Sequence, residues 1–527
     1  MKKSAFLGFL FSTSIVILGQ PAWVSWLAPI TAALGYGLFW KSARMLFPVN
    51  RRIFFSVCSL WFMGVQLFHL SWMTSIQFYS LYMLFFYGLL CFVLGLQFGL
   101  LSLCVGRLPH FVVATLGVVM EWMRWSWFTG FSWNPLGITL AAFPVSAQLA
   151  SLWGVLGLSF WVLLTNLAFF QGKIKTWTIF TLVPYLFGLA SISFHNPRIS
   201  QYPSLQVAVV QTQTVPVEKA PHAFRGAGKE ALFLWSSLLE QMAVLKGKKW
   251  DIVLMPEAIV PYSLDRKLYP AVKAVALMQK AWQEAYPEFW QTASQSSLYS
   301  NADIAQSIAN FLKTDLILGL ETQGKNGEHY NSACHFSYKQ GYKGCYNKQK
   351  LLPIGEYLPF SFLKDWSHFY TGGEFFSPGK GEYIFSTPIP SAASICYEET
   401  FPQLSREQRK KGAQLFLGIS NDAWYPHSKL AAQHFYHSRL RSIENGVPQL
   451  RACNGGFSGG CDSLGRVQGN IGKQEQAEVL SLSLPIYSYS TLYTQIGDAG
   501  VLLVLVGLSL ASLFLSRKSF GITSNYS

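Results

Sequence analysis

Eight segments of this chain are apolar over a length close to that of a transmembrane helix, and no other feature limits its fold as strongly. A bilayer core about 30 Å thick needs roughly 20 mainly apolar helical residues, because no water is present to satisfy an irregular backbone. The chain is 51% hydrophobic and only 13% charged, which is unusual for a soluble protein. The predicted spans lie near residues 4–20, 22–40, 53–70, 79–104, 109–123, 148–170, 176–194 and 495–515.

Charge is distributed unevenly along the chain. The first 200 residues contain a single carboxylate, Glu121, whereas all other acidic residues lie later. The formal net charge of +15 could indicate a nucleic-acid partner, but the 18 Trp, 24 Tyr and 41 Phe suit bilayer interfaces better. We therefore interpret the positive charge as membrane charge and expect no nucleic-acid partner.

The order of apolar and polar segments predicts three parts and an orientation. Residues 1–200 form a transmembrane domain of about seven helices, 201–490 a polar domain, and 491–527 a last helix with a short cytoplasmic tail. Short cytoplasmic loops carry an excess of Lys and Arg. With the N-terminus inside, the polar domain lies in the periplasm of a bacterium with an inner membrane. Arg124 and Arg198 flank helices on the outer side and are exceptions, whereas the other basic residues near the spans fall on the cytoplasmic side. These basic residues are Lys2, Lys3, Lys41, Arg44, Arg51, Arg52, Arg107, Lys173, Lys175, Arg517 and Lys518.

The polar domain reads as an α/β fold. Short runs rich in β-branched residues alternate with amphipathic stretches, which is typical of strands alternating with helices. An aromatic, helical-looking insertion occupies residues 263–310, and its role does not follow from the sequence. The predicted strands are 205–210, 252–255, 316–320 and 415–419, with a helix near 228–246.

Three stretches place a reactive side chain at or near the end of an apolar run, where a strand end can open into a cleft. The first is Ile252-Val-Leu-Met-Pro-Glu257 and the second is Tyr346-Asn-Lys348-Gln-Lys-Leu-Leu-Pro-Ile-Gly-Glu356. The third is Ser394-Ile-Cys396-Tyr-Glu398-Glu. Each motif alone is a weak signal, whereas the ordered set is a strong one.

In this order the three stretches resemble the Glu-Lys-Cys triad of the nitrilase superfamily. Together with the spans before and after them, they resemble the apolipoprotein N-acyltransferase family over nearly the whole chain. The sequence departs from the family pattern at Met255, at Ile354 and in the insertion. Further stretches that carry the resemblance are Gly130 to Gly137, Asn421 to Trp424, Arg439 to Gly446 and Arg451 to Asn454.

The resemblance implies a fold and a reaction. The fold would be a nitrilase-like α-β-β-α sandwich inserted between helices seven and eight of an eight-helix membrane bundle. The reaction would move a fatty acyl group from a membrane phospholipid, through a cysteine thioester, to the N-terminal amine of diacylglyceryl-cysteine on an apolipoprotein. The implied supporting residues are Glu356, Tyr397 and Glu398.

The chemistry of the three side chains agrees with that implication. A thiolate is a strong nucleophile and suits Cys396, while Glu257 can take the thiol proton. A fixed ammonium at Lys348 favours the thiolate and stabilises a developing oxyanion. The backbone N–H that follows Cys396 can add to the same hole.

Aromatic and amide residues outside the triad are candidates to line the acyl entrance. They are Trp133, in the loop that starts at Trp125, together with Asn421 and Trp424. Interfacial Trp residues also serve as ordinary membrane anchors, so an anchoring role for the two Trp residues stays open beside the entrance role. We expect no metal and no cofactor, because paired metal-ligand spacings and a phosphate-binding loop are missing from the sequence.

Two other functions remain open at this point. A membrane-tethered amidase or nitrilase would resolve the same thioester with water and hydrolyse a small amide. A non-enzymatic lipid-binding or transport protein would use the α/β module only as a scaffold. The eight spans disfavour the first, since one helix suffices as a tether, and the intact triad disfavours the second.

Cysteine usage suggests how the nucleophile could stay free in an oxidising compartment. Five cysteines lie outside the predicted spans, which leaves one unpaired. Bonds between Cys334 and Cys345 and between Cys453 and Cys461 would free Cys396. Other pairings fit the sequence equally, since connectivity does not follow from spacing.

Overall fold

The structure is a computed structural model that describes residues 2–47, 50–74, 81–127, 130–213, 227–282, 297–358, 375–472 and 476–523. The part before residue 204 is helical. Short helical turns, among them Leu136–Ala142 and Pro144–Ala147, connect the longer helices. The longer helices are α1 Lys2–Leu18, α2 Pro21–Leu46, α3 Arg51–His69, α4 Leu81–Cys104, α5 His110–Ser126, α6 Ala150–Phe170 and α7 Ile174–Gln201.

Helices occupy the positions of the predicted spans. Among the described residues, six helices are long and apolar enough to cross a membrane: α2, α3, α4, α6, α7 and the final helix of the chain. The first and fifth predicted spans correspond to α1 and α5, which are helices of 17 residues each. The outward face of α1 carries large exposed apolar side chains such as Phe6 and Leu7, and α5 exposes Met123. Such faces suit contact with lipid.

Two six-stranded sheets form the centre of the polar part. The first sheet has the order β14-β1-β2-β5-β6-β7 and the second β13-β12-β11-β10-β9-β8. In each sheet three neighbouring strands run parallel, β1-β2-β5 and β9-β10-β11. The strands are β1 Ser204–Gln211, β2 Ile252–Leu254, β3 Tyr269–Pro270, β4 Leu298–Tyr299, β5 Asp315–Gln323, β6 His329–Ser337, β7 Gly341–Asn347, β8 Phe385–Ser386, β9 Pro390–Ile395, β10 Leu415–Asn421, β11 Gln449–Asn454, β12 Gly459–Cys461, β13 Val467–Asn470 and β14 Glu478–Pro485.

Helices cover the outer faces of both sheets, so the predicted α/β class is confirmed. The two sheets pack face to face through β-branched and aliphatic residues such as Val207, Ile317 and Leu417. The predicted strands and the predicted helix near 228–246 are all present. The helix Asn301–Leu312 shows that the later part of the 263–310 insertion belongs to the helical layer. The helices are α8 Ala227–Gln241, α9 Ala271–Trp282, α10 Asn301–Leu312, α11 Pro402–Lys410 and α12 Leu430–Asn445.

The membrane helix α6 is broken where the sandwich meets it. Gly154 has φ +61° and ψ −173°, a conformation that is essentially restricted to glycine. The break leaves the Val155 N–H without its helical acceptor, and this N–H donates to Glu444 Oε1 of α12 at 2.9 Å. A side chain of the polar part therefore satisfies the backbone of a membrane helix.

The last helix, α13 Leu492–Thr523, is broken in the same way at Gly497, with φ +61° and ψ −172°. Here the carbonyls before the break need donors, and Arg406 of α11 supplies them. Its Nε donates to Thr494 O and its Nη2 to Gln495 O, both at 2.9 Å. Both breaks thus fix the sandwich to the helix bundle by hydrogen bonds to helix ends.

One of the two suggested disulfides is present and the other is wrong. Cys334 and Cys345 lie opposite each other on β6 and β7 and are bonded. Cys453 and Cys461 are both buried free thiols. Cys461 pairs with Gln449 across β11 and β12, which puts it four residues along the strand from Cys453, about 13 Å at the usual rise per residue. That separation is too long for a disulfide.

Replacing Gly497 by alanine should destabilise the fold by about 1–3 kcal/mol, because a Cβ in this conformation is strained. The Cβ would also lie 2.6 Å from Nε and Cζ of Arg406. Thermal unfolding of the purified protein in detergent measures the loss.

Gly507→Ala on the same helix is the matched control. Nothing lies within 4 Å of the Cβ it would add, so a slight gain of about 0.5–1 kcal/mol is expected from the removed flexibility. Equal melting temperatures for the two variants would contradict the proposed role of the break at Gly497.

Candidate active site

Cys396 occupies a strained turn at the end of a strand. It follows β9 directly and begins the short 3-10 helix Cys396–Thr400. Its φ of +52° is left-handed, which costs a non-glycine residue about 1–2 kcal/mol. Cys396 is partly exposed, whereas the next four residues are buried. The turn therefore places Cys396 at a partly open point of an otherwise closed structure.

Lys348 lies between two carboxylates. It follows β7, is 1% exposed, and its Nζ donates to Glu257 Oε1 at 3.1 Å and to Glu356 Oε1 at 2.8 Å. Asn331 Nδ2 donates to the same two carboxylate oxygens, at 2.7 and 3.0 Å. The structure thus places two sequence-predicted carboxylates, Glu257 and Glu356, around the ammonium of a third predicted residue, Lys348.

The charges of Glu257 and Lys348 both act on the Cys396 thiol, so the three groups belong to one cluster. Burial of the thiol and the nearby carboxylate of Glu257 raise the pKa of Cys396 well above its ordinary value. Lys348 acts in the opposite direction but does not outweigh them. The resting side chain is therefore a thiol, which needs a base at the moment of attack.

The two carboxylates keep Lys348 charged. Burial alone would lower the pKa of Lys348, but the attraction of Glu257 and Glu356 more than offsets it and raises this pKa well above its ordinary value. A permanent ammonium next to the thiol can stabilise negative charge on a reacting carbonyl oxygen.

Glu398 connects the lysine segment to the cysteine turn. One carboxylate oxygen accepts from the backbone N–H groups of Gln349 and Lys350, at 2.7 and 3.1 Å, and from the Tyr346 hydroxyl at 2.8 Å. The other accepts from Ile395 N at 2.8 Å. Burial raises the pKa of Glu398, while the backbone donors oppose this shift. Glu398 therefore bridges the residues that follow Lys348 and the residue that precedes Cys396.

The helical part of the chain contacts the same turn. Tyr397 is buried, and its hydroxyl donates to Gly130 O at 2.7 Å. Ser132 Oγ and Thr400 Oγ1 lie 2.5 Å apart. The loop that carried the resemblance in the membrane half, from Gly130 onward, is thus part of the wall of the site.

The three residues suggested for substrate binding lie in different environments. Trp133 is 3% exposed, and its indole N–H donates to Gln433 Oε1 at 2.6 Å. Asn421 ends β10 and accepts from Asn454 Nδ2 at 3.0 Å. Trp424 is 36% exposed and ends the turn after β10. Trp424 is thus the most exposed of the three, Asn421 is half-buried and Trp133 is buried.

Sequence reasoning missed two residues of the site. Asn331 lies within β6, and nothing in its neighbourhood along the chain marks it. His434 lies on α12, and its Nε2 is 2.9 Å from the Cys396 carbonyl oxygen. A buried polar residue inside a strand or helix is the only signal, and many structural residues share it.

Family models match both parts of the chain. The carbon-nitrogen hydrolase model matches residues 206–480, and the model of the apolipoprotein N-acyltransferase N-terminal domain matches residues 3–168. A protein from Chlamydia muridarum named apolipoprotein N-acyltransferase is 30% identical over 97% of each chain. The chain belongs to the apolipoprotein N-acyltransferase family.

Other members of this family are similar over different shares of the chain. A Chlamydia pneumoniae protein of the same name is 29% identical over 94% of each chain. One from Rickettsia bellii is 27% identical over 78% of this chain and 76% of its own. A solved carbon-nitrogen hydrolase from Helicobacter pylori covers 54% of this chain and 90% of its own at 18% identity, with a TM-score of 0.37. The family assignment depends on the sequence matches and not on that superposition.

Lys348→Met should destabilise the protein by about 3–5 kcal/mol, because it leaves Glu257 and Glu356 as buried charges without their cation. Denaturant unfolding in detergent measures the loss.

Lys350→Met is the control. Its side chain is exposed and lies over the Phe401 ring at 5.7 Å, so its loss should change stability by about 0.5 kcal/mol or less. A Lys348→Met variant as stable as Lys350→Met would contradict the charge arrangement described above.

Proposed function

We propose that this chain transfers a fatty acyl group from a membrane phospholipid, through a thioester on Cys396, to the N-terminal amine of diacylglyceryl-cysteine on an apolipoprotein. The observation that carries the proposal is the cluster itself. The thiol of the partly exposed residue Cys396 interacts electrostatically with the buried Glu257 carboxylate and the buried Lys348 ammonium, which are paired with each other. The names of the relatives support the lipoprotein acceptor.

In the first half-reaction, Glu257 takes the proton from Cys396 as Sγ attacks the ester carbonyl carbon of the phospholipid. The carbonyl oxygen becomes an oxyanion beside Lys348 Nζ. When the oxyanion collapses, the carbon–oxygen bond to the glycerol breaks and Glu257 returns the proton to the leaving oxygen. The products are a lysophospholipid and an acyl thioester.

In the second half-reaction, the uncharged α-amine of the acceptor attacks the thioester carbon. Glu257 removes a proton from the attacking nitrogen, and the second oxyanion forms at the same place. The carbon–sulfur bond then breaks, an amide bond remains on the acceptor, and Cys396 recovers its proton. Both half-reactions use one base and one oxyanion site, so the reaction is of the ping-pong type.

Glu356, Tyr397 and Glu398 support this machinery without forming bonds to the acyl group. Glu356 shares the ammonium with Glu257 and leaves Lys348 fixed whenever Glu257 is protonated. Glu398 holds the backbone around Lys348 and Cys396 in place. Tyr397 fixes the cysteine turn to the Gly130 loop.

For the membrane arrangement, we propose eight spanning helices: α1 to α7 and α13. Their apolar length and the distribution of Lys and Arg support a bacterial inner membrane with the sandwich on the periplasmic side. The domain boundaries would then be 1–200, 201–490 and 491–527. Both substrates carry acyl chains in the bilayer, so the helices bring the thiol to the membrane surface, with Trp133, Asn421 and Trp424 near the entrance.

The proposed function is tested by following a labelled acyl group. Purified protein, a phospholipid labelled in its acyl chain and a diacylated lipopeptide should yield lipopeptide labelled on its amine. Cys396→Ala should yield none, and Cys104→Ala, at another partly exposed free cysteine, should behave as wild type. Label released only as free fatty acid would favour an amide or ester hydrolase, and no label transfer at all would favour a lipid-binding protein.

The same assay tests the side of the membrane. Spheroplasts are given a diacylated lipopeptide whose peptide end carries a bulky, charged fluorophore that cannot cross the bilayer. N-acylation of this lipopeptide is expected if the sandwich faces the periplasm. Acylation only after the membrane is permeabilised would contradict the proposed orientation.

A further inference from the structure

The carbonyl of the nucleophilic cysteine is held by a buried histidine. His434 Nε2 lies 2.9 Å from Cys396 O and 3.2 Å from Glu399 Oε2. Both neighbours are acceptors, so Nε2 carries a hydrogen and donates it. His434 thus donates to the peptide group that follows Cys396.

The opposite side of the imidazole is fixed as firmly. Nδ1 lies 2.9 Å from Asp422 Oδ1 and 3.0 Å from Arg451 Nη2. A neutral ring accepts there from Arg451, and a protonated ring donates there to Asp422, so Nε2 keeps its hydrogen in either case. All of these groups are buried, and Trp133 packs on the ring with centroids 5.3 Å apart.

Holding that carbonyl also fixes the N–H of the next residue. A peptide unit is planar, and in the trans form its C=O and N–H point in opposite directions. The described residues contain no cis peptide bond. The N–H of Tyr397 lies in the first turn of a 3-10 helix, where backbone N–H groups have no acceptor within the helix.

We propose that His434 is a positioning residue for the oxyanion. By fixing the Cys396 carbonyl, it aims the Tyr397 N–H at the oxygen of the acyl carbonyl that is bonded to Sγ. Lys348 Nζ supplies the second donor. His434 acts through the Cys396 backbone carbonyl, and the inference rests on the acyl-transfer function proposed above.

Loss of His434 should affect two reactions of the Cys396 thiol differently. Acylation by an ester passes through an oxyanion, whereas alkylation by iodoacetamide forms an Sγ–carbon bond, expels iodide and develops no oxyanion. A residue that serves the oxyanion affects the first reaction alone. A residue that only maintains the fold or the thiol affects both.

The test compares His434→Leu and His434→Gln with wild type. The acylation burst with p-nitrophenyl butyrate should fall about 100-fold in His434→Leu, the size of effect seen when an oxyanion donor is lost. Its KM for the ester and its alkylation rate should stay unchanged. In His434→Gln the amide N–H can replace Nε2–H, so most of the burst rate should return.

His437→Leu is the matched control, because His437 lies one turn later on α12, is equally buried and packs on Trp133 at 5.2 Å. It should change neither rate. A parallel fall of acylation and alkylation in His434→Leu, or no fall in either, would overturn the proposal. If wild type is acylated by the nitrophenyl ester but not by phospholipid, the proposed function fails while this inference stands.

Discussion

The site depends on one buried ammonium placed between two carboxylates. Lys348 is almost fully enclosed, and charges that lose water are stable only when they are paired and hydrogen-bonded. Glu257 and Glu356 provide the pairing, and Asn331 donates to both of them. The same arrangement that keeps the lysine charged also fixes the base, so structural and chemical roles cannot be separated in these residues.

The nucleophile is positioned by groups from opposite sides. Glu398 connects its turn to the lysine segment, and His434 holds its carbonyl from α12. The helical part adds Gly130 and Ser132, which bond to the same turn. The breaks at Gly154 and Gly497 help to hold the two parts together, since each leaves backbone groups that side chains of the sandwich satisfy.

Much of this arrangement could be predicted from the sequence. Hydrophobic length predicted the helices, and short β-branched runs predicted four of the strands, because both depend on local periodicity. The two-sheet sandwich was implied by the family resemblance and not by the strand pattern. Glu257, Lys348 and Cys396 stood out because their motifs are local and ordered. Asn331 and His434 did not, since their roles come from contacts between distant segments. The suggested bond between Cys453 and Cys461 was wrong for the same reason: the register of β11 and β12, which separates them, is not visible in the spacing.

The central claim is that Cys396 carries the acyl group. Peptide mass spectrometry after incubation of the purified protein with phospholipid and acid quenching tests it directly. We expect the mass of one fatty acyl group on the peptide that contains Cys396, removed by neutral hydroxylamine and absent when Glu257 is replaced by glutamine. An acyl mass on any other residue, or on Cys396 in equal amount without the Glu257 carboxylate, would contradict the mechanism.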